Sequence, residues 1–298
     1  MKASRQIATA EDPEAVKASV FEALHLAMDL GVQLFDVADI YAPSFDTIGH
    51  NERLLADAIK AWGGSSEQKS NLILATKGGI TRSVGEKWGR DGSYDYLASA
   101  AEASAKALNV DSIDLWQHHR LDPSLTFTEQ VKNLAKLNQL GVITRMGVSN
   151  QNATQLRQLI AEIGGPADGG VYTVQNQLSP WYRNDMDVIE VCEEFGLIFL
   201  PWTPMRGVRE TEIDEPVYSV FHKIATQRGV TGFEVANAWL RSLSNTIIPI
   251  PGVTQSASVQ NSLAGLAFEL TEDDLLALRD LPASAPMDAE LLRDQPKI

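Results

Sequence analysis

Residues Leu72–Gly79 read LILATKGG, a short apolar run that ends in a lysine and two glycines. The length and composition of this run are typical of a buried β-strand. Two stretches with the apolar period of an amphipathic helix flank it, Asn51–Trp62 before it and Tyr94–Leu108 after it. Because parallel strands are joined by a crossover connection, usually a helix, a strand between two helices predicts a parallel sheet.

The same alternation extends over most of the 298 residues. Eight such βα units close naturally into a (β/α)8 TIM barrel, which is the α/β fold that we predict. A doubly wound open sheet is the alternative, but the patterns GxGxxG and GxxxxGK(S/T) are both absent. The eight predicted strands are Ser4–Ala8, Val32–Val37, Leu72–Lys77, Ile113–Gln117, Thr144–Val148, Val171–Gln175, Leu197–Trp202 and Thr246–Ile250.

Residues 1–298 are predicted to form one domain, since no stretch rich in Pro, Gly or Ser divides the chain. The barrel and one additional C-terminal helix, Thr271–Leu281, would take up residues 1–281. The remaining segment, residues 282–298, has no clear periodicity. We predict a tail there that either crosses the barrel or is disordered.

The charge balance excludes some partners. The chain has 25 Lys and Arg but 39 Asp and Glu, a formal net charge of −14. Nucleic-acid binding needs a basic face, and an acidic chain is disfavoured at anionic membranes, so we expect neither partner. No apolar run reaches the roughly 20 residues of a membrane span, and the N-terminal stretch lacks the apolar core of a signal peptide. Because the single cysteine, Cys192, cannot form an internal disulfide, we expect a cytoplasmic protein.

Polar residues at the ends of the predicted strands are the candidates for catalysis, because barrel enzymes place their sites there. A lysine inside a strand, Lys77, needs a carboxylate partner, and Asp36 on the neighbouring strand can supply it. Tyr41 follows that aspartate, and a histidine ends the next strand. A lysine ammonium lowers the pKa of a nearby tyrosine. We therefore predict a group that moves a proton at a carbonyl or alcohol oxygen, with the hydride coming from a cofactor.

Seven short motifs occur in an order and spacing that resemble those of the aldo-keto reductases. They are DVADIY, ATKGG, IDLWQHHRLDP, MGVSN, VQNQLSP, LPWTP and IPIPGV. The resemblance runs from about Gly31 to about Leu281, which is most of the chain. It implies a (β/α)8 barrel, an extended NAD(P)(H) bound without a Rossmann fold, no metal, and an Asp-Tyr-Lys-His catalytic tetrad.

The tetrad of the resemblance falls on Asp36, Tyr41, Lys77 and His119. Two adjacent histidines compete for the fourth place, and strand alternation allows only one of them to enter the site. The family pattern places its histidine five residues after the aspartate of an Asp-Leu pair. We therefore choose His119 and expect the neighbouring His118 to be a packed residue.

The resemblance also assigns residues to the cofactor. Three polar residues would bind the nicotinamide carboxamide, one aromatic ring would stack on the nicotinamide, three residues would cover the pyrophosphate, and five would contact the adenosine phosphates. In that order they are Ser149, Asn150 and Gln175; Trp202; Thr203, Pro204 and Met205; and Gly252, Thr254, Ser258, Asn261 and Ser262.

Two regions depart from the family pattern. Many members place a basic residue near Thr254 or Ser258 to pair with the 2′-phosphate of NADP, but residues 252–261 contain neither Lys nor Arg. The family as a whole favours NADP(H), and the missing basic residue leaves NAD(H) possible. Members also carry a hairpin and a glycine-containing loop before the first helix, whereas about a dozen residues precede it here.

The sequence therefore predicts an NAD(P)(H)-dependent oxidoreductase that interconverts a small-molecule carbonyl compound and its alcohol, with Tyr41 as proton donor and acceptor. Phe45 and Trp88, in two long loops, are predicted to line the substrate site for a sugar-like or polycyclic compound. A nucleotide-sensing regulatory subunit of the same fold is the first alternative. A barrel isomerase or aldolase with Lys77 as Schiff-base former is the second.

Overall fold

Eight strands lie in the part of the chain that the structure, a computed structural model, describes: residues 2–206, 216–252 and 254–287. Six of them form one parallel sheet in which neighbours in space follow one another along the chain, and the other two pair as an antiparallel hairpin. In chain order they are β1 (Leu34–Asp36), β2 (Ile73–Gly78), β3 (Ile80–Ser83), β4 (Lys87–Arg90), β5 (Leu115–His118), β6 (Met146–Ser149), β7 (Val171–Gln175) and β8 (Ile198–Phe199).

Twelve helices are found in the same described ranges. Several begin with a capping side chain, as when Asp12 accepts a hydrogen bond from the backbone N–H of Ala15 just before a proline at the first helical position. The helices are α1 (Lys2–Thr9), α2 (Pro13–Asp29), α3 (His50–Ala61), α4 (Ser66–Ser70), α5 (Tyr94–Leu108), α6 (Phe127–Leu137), α7 (Ala153–Ile163), α8 (Met186–Phe195), α9 (Pro216–Arg228), α10 (Gly232–Leu243), α11 (Ser256–Ala267) and α12 (Glu272–Ala277).

The architecture is that of the predicted (β/α)8 barrel, with changes in its first and last units. β1 stands at one end of the strand order, and the segment around Ile247, which forms a parallel bridge with Phe199, stands at the other. Across these two ends, α2 packs against α11. Buried apolar side chains of the strands, such as Trp116, Val148 and Val174, pack in one large core cluster with those of the helices.

The first predicted strand, Ser4–Ala8, is wrong, because these residues lie in helix α1. Ile7 packs against Val20 of α2 and Leu54 of α3, and the Ser4 hydroxyl accepts a hydrogen bond from Asn51 Nδ2. Serine and isoleucine three residues apart share one face of a helix and so bury together. A run of five residues is too short for its apolar period to distinguish a helix from a strand.

The last predicted strand, Thr246–Ile250, is reduced to a single bridge. Its backbone meets β8 through Phe199 N to Thr246 O at 2.9 Å and Ile248 N to Phe199 O at 3.0 Å. Prolines at 249 and 251 have no N–H to donate, which prevents a longer ladder.

The C-terminal helix is present but shorter than predicted, because α12 ends at Ala277. Beyond it, part of the predicted tail packs against the loop that follows β7. Ala285 N donates to Trp181 O at 3.0 Å, and Asn184 Nδ2 donates to Ala285 O at 2.7 Å. Residues 288–298 lie outside the described residues.

Candidate active site

An ion pair occupies the carboxyl ends of the first two strands. Lys77 at the end of β2 is buried, and its Nζ lies 2.5 Å from Asp36 Oδ2 at the end of β1 and 2.8 Å from Val37 O. Burial alone would lower the pKa of Lys77, but the charge of Asp36, its hydrogen bond to the ammonium and the electrostatic interaction with Tyr41 raise it above its ordinary value. The lysine is therefore an ammonium. A Schiff-base mechanism requires a lysine that is free of the Asp36 carboxylate, and the ion pair argues against that alternative.

The second oxygen of Asp36 is also occupied. Gln117 Nε2 and Gln175 Nε2 each donate to Asp36 Oδ1 at 3.0 Å. The carboxylate thus accepts hydrogen bonds from one ammonium and two amides, which compensates for its removal from water.

Tyr41 lies in the loop after β1, close to both the lysine and a histidine. Lys77 Nζ is 5.4 Å from the centroid of the Tyr41 ring, and the His119 ring meets that ring edge-on at a centroid distance of 5.7 Å. The expected lowering of the tyrosine pKa is wrong in its net direction. Burial raises the pKa of Tyr41 by more than the charge of Lys77 lowers it. The phenol is therefore protonated at neutral pH.

The two histidines have different surroundings. His119 contacts Tyr41, whereas the fully buried His118 is oriented toward Gly79, where an added Cβ would lie 2.9 Å from His118 Cδ2. Burial lowers the pKa of His118 to about 4. Burial, together with the charges of Lys77 and nearby arginines, also lowers the pKa of His119. Both imidazoles are neutral at neutral pH, and His119 is the one beside the tyrosine.

The four residues assigned to the nicotinamide lie together beside the tetrad. Asn150 Nδ2 donates to His119 O at 3.1 Å and to Ser149 Oγ at 2.7 Å. Ser149 Oγ donates to Gln175 O at 2.5 Å, and Trp202 Nε1 donates to Asn150 Oδ1 at 3.1 Å. The carboxamide and stacking positions of the resemblance are thus one connected group.

The residues assigned to the pyrophosphate follow directly after Trp202. Thr203 is exposed and has a left-handed backbone with φ of 49°, Pro204 is buried, and Met205 packs partly against the main core. The structure describes this loop as far as Arg206.

The residues assigned to the adenosine phosphates lie on α11 and in the segment before it. Gly252 is exposed, and Ser258, Asn261 and Ser262 lie on α11, where Ser262 Oγ donates to Ser258 O. Thr254 lines a cleft of about 440 Å³ together with residues of α1 and α2. The described lining of this cleft contains neither Lys nor Arg: it consists of Gln6, Thr9, Ala15, Val16, Ser19, Thr254 and Gln255.

The two predicted substrate residues belong to neighbouring segments. Trp88 lies on β4 with 54% of its surface exposed, and the Arg82 guanidinium of β3 lies 4.8 Å from its ring centroid. Arg82 also donates to Ala42 O and to Pro43 O, both at 2.8 Å, in the loop that follows Tyr41. Phe45 lies in the same loop, and its N–H donates to Glu86 Oε1 of the hairpin at 3.1 Å.

The sequence reasoning missed several polar residues of this region. Gln117 lies opposite Lys77 in the register of β2 and β5, so a glutamine in the middle of an apolar strand was the available signal. Arg120 lies 5.9 Å from the Trp202 ring centroid. Asp39 and Glu52 are buried, and burial and their mutual repulsion raise the pKa of Asp39.

A family model described as the Aldo/keto reductase family matches residues 7–282, so the chain belongs to that family. It is accordingly an NAD(P)-dependent oxidoreductase. Among the described residues, no helix is long and apolar enough to cross a membrane, and no cluster of His, Cys, Asp or Glu could hold a metal ion.

Three known proteins illustrate the likeness. An uncharacterised oxidoreductase of Schizosaccharomyces pombe is 27% identical over 82% of this chain and 73% of its own length. A probable aldo-keto reductase of Glycine max is 26% identical over 84% of this chain and 75% of its own length. The crystal structure of an aldo-keto reductase from Klebsiella pneumoniae in complex with NADPH superposes with a TM-score of 0.70 at 22% identity, over 89% of this chain and 84% of that one.

Proposed function

We propose that the protein interconverts a small aldehyde or ketone and its alcohol, with NADP(H) as the favoured hydride carrier and NAD(H) as the alternative. The observation that carries the proposal is the position of Tyr41, whose ring lies close to both the Lys77 ammonium and the His119 imidazole. The nicotinamide of the cofactor supplies or accepts the hydride. The chain itself then has to provide a proton at the carbonyl oxygen.

Each tetrad residue has a definite task in reduction. Tyr41, protonated at neutral pH, donates its proton to the carbonyl oxygen, and the Lys77 ammonium stabilises the tyrosinate that remains. Asp36 holds the ammonium in place. The neutral imidazole of His119 donates a hydrogen bond that orients the carbonyl. In alcohol oxidation the same groups act in reverse.

The polar group beside the tetrad fits a carboxamide. Gln175 Nε2 uses its two hydrogens on Asp36 Oδ1 and on Gln117 Oε1, so its carbonyl oxygen is left to accept. A nicotinamide carboxamide has an NH2 group for such an acceptor and an oxygen for a donor. Ser149 and Asn150 would supply the donor by exchanging the hydrogen bond that they now share.

The adenosine end supports binding by hydroxyl groups. Thr254, Ser258 and Ser262 would hold the 2′-phosphate of NADP(H) in place of the basic residue that residues 252–261 lack. Hydrogen bonds from neutral groups are weaker than those from a guanidinium. We therefore expect a smaller preference for NADP(H) over NAD(H) than an arginine in this stretch would give.

Residues 42–47 of the loop after Tyr41 and the β3–β4 hairpin, together called the rim, suggest a substrate with a flat face that can stack on an aromatic ring. Trp88 presents more than half of its surface to solvent, and Phe45 lies in the adjoining loop. Aromatic rings bind sugar-like and polycyclic compounds through their apolar faces. A carbonyl compound of either type would contact this rim while its oxygen reaches Tyr41.

The test is turnover of a panel of aldehydes, ketones, sugars and polycyclic ketones, followed by the loss of NADPH or NADH absorbance. Binding of each cofactor is measured separately by quenching of tryptophan fluorescence, to which Trp202 would contribute. Reduction of at least one carbonyl class, with NADPH bound more tightly than NADH, is the expected result. Binding without any turnover would instead favour the nucleotide-sensing subunit.

A further inference from the structure

Three strands bring together a buried amide network behind the tetrad. Gln117 of β5 is fully buried, and its Nε2 donates to Asp36 Oδ1 at 3.0 Å. Its Oε1 accepts from Gln175 Nε2 at 3.3 Å and from Thr173 Oγ1 at 3.4 Å, both on β7. Gln117 therefore touches a residue of the proton-transfer group on one side and a residue of the proposed nicotinamide group on the other.

The charge of Asp36 determines which way both amides face. An ionised carboxylate can only accept hydrogen bonds, so each glutamine must turn its NH2 group toward Asp36 Oδ1. This leaves Gln117 Oε1 as an acceptor, and Gln175 satisfies it with its second amide hydrogen. With both hydrogens used, Gln175 can present only its oxygen to a ligand.

A glycine makes room for the network. In the strand between Gln117 and Thr173, Gly147 is in register with both. A Cβ on Gly147 would lie 2.1 Å from Thr173 Oγ1 and 2.9 Å from Gln117 Cγ. The side chains of Gln117 on β5 and Thr173 on β7 can therefore meet across β6 only because Gly147 has no side chain.

We propose that Gln117 is a positioning residue that couples the two halves of the site, holding Asp36 for the proton step and fixing the Gln175 amide so that its oxygen faces the cofactor. The inference rests on the proposed function. It adds that cofactor affinity and the ionisation of Tyr41 both depend on a side chain that touches neither cofactor nor substrate.

The variant Gln117→Met tests the coupling, because it keeps the length of the side chain and removes its donor and acceptor. Without the Gln117 acceptor, the Gln175 amide keeps only its hydrogen bond to Asp36 and is held less firmly, so the dissociation constant of NADPH rises about five- to tenfold, the worth of one hydrogen bond. Asp36 then loses one of its three donors, so its negative charge acts more strongly on Tyr41, which raises the tyrosine pKa. The apparent pKa in the pH profile of kcat therefore moves upward.

Thr173→Val is the matched control, since it removes a 3.4 Å contact to the same Gln117 oxygen and touches neither Asp36 nor Gln175 through a hydrogen bond. Its NADPH affinity and pH profile stay within about twofold of those of the parent protein. Full-length variants are compared by NADPH fluorescence titration, by the pH dependence of kcat and by the thermal midpoint.

A lower thermal midpoint in Gln117→Met with unchanged affinity and pH profile would show a structural role only and overturn the inference. If Gln117→Met does not fold, Gln117→Asn decides, because it keeps an amide but withdraws it from both partners; the same two shifts are expected, and their absence overturns the inference. A parent protein that binds NADPH but reduces no carbonyl contradicts the proposed function, while the affinity comparison still tests Gln117.

Discussion

The ammonium of Lys77 lies 2.5 Å from the carboxylate of Asp36, and the lysine side chain has no contact with solvent. Neither charge can be removed alone without leaving the other poorly compensated in the protein interior. Loss of either partner is therefore expected to destabilise the fold as well as to impair the proposed chemistry.

Lys77→Met is expected to lower the free energy of unfolding by about 3 kcal/mol, since it leaves the Asp36 carboxylate with only two amide donors. Urea unfolding at pH 7 measures the change. The control is Lys132→Met on the exposed face of α6, which is expected to change stability by less than about 0.5 kcal/mol. Equal effects of the two variants would contradict the structural importance of the pair.

Tyr41→Phe removes the proposed proton donor and leaves the ring that packs beside His119. We expect kcat to fall by about two to four orders of magnitude, the usual worth of general acid catalysis. The NADPH dissociation constant stays nearly unchanged, because the residues proposed to bind nicotinamide are untouched. Steady-state kinetics and fluorescence titration measure the two quantities, and full activity in the variant would exclude Tyr41 as the donor.

The buried His118 is expected to lower the stability of the fold in mild acid. The ordinary histidine pKa is 6.5, and burial lowers that of folded His118 to about 4. Between these values the unfolded chain binds a proton that the folded chain does not, so stability is lost as the pH drops through this window. His118 alone accounts for a loss of about 2 kcal/mol between pH 7 and pH 5.

His118→Leu should remove about that amount from the pH dependence of stability. The other shifted groups stay in both proteins: His119 acts in the same direction as His118, and Asp39 and Asp185, whose pKa values are raised by burial, act in the opposite direction. Urea unfolding of the parent protein and the variant at pH 7 and pH 5 measures the difference. Parallel pH curves for the two proteins would show that His118 is not buried in its neutral form.

Gly147→Ala is expected to destabilise the protein by about 1–3 kcal/mol, because its Cβ would overlap Thr173 Oγ1 and crowd Gln117. Gly141→Ala is the control, as an added Cβ there meets no atom within 4 Å. Thermal unfolding of both variants provides the comparison. If both alanines have the same small effect, the three strands do not pack as closely as described.

The alternation of apolar runs and helical periods was sufficient to predict the barrel, because each buried parallel strand needs its own helix. The spacing of Asp36, Tyr41 and Lys77 was likewise sufficient to place them together, since strand ends meet at one edge of the sheet. The choice of His119 over His118 came from the resemblance, and the structure brings His119 to Tyr41. The catalytic roles, the single domain and the cytoplasmic location stay predictions.

Other features of the fold depend on contacts between distant parts of the chain, which a local sequence pattern does not reveal. Ser4–Ala8 forms a helix because Val20 and Leu54 offer its apolar side chain a surface. The hairpin of β3 and β4 was predicted only as a long loop, since its four-residue strands have little apolar alternation. Gln117 could not be assigned a partner, because its neighbours come from strands 81 and 58 residues distant.

The bonds from Arg82 to the carbonyls of Ala42 and Pro43 have a consequence for redesign. A guanidinium has a rigid fork of donors, so the hairpin and the loop after Tyr41 keep one relative placement. Grafting the hairpin alone onto another barrel would transfer Arg82 without the carbonyl groups that it binds. Changes of selectivity are therefore best made in residues 42–47 and 80–90 together, as a single exchangeable module.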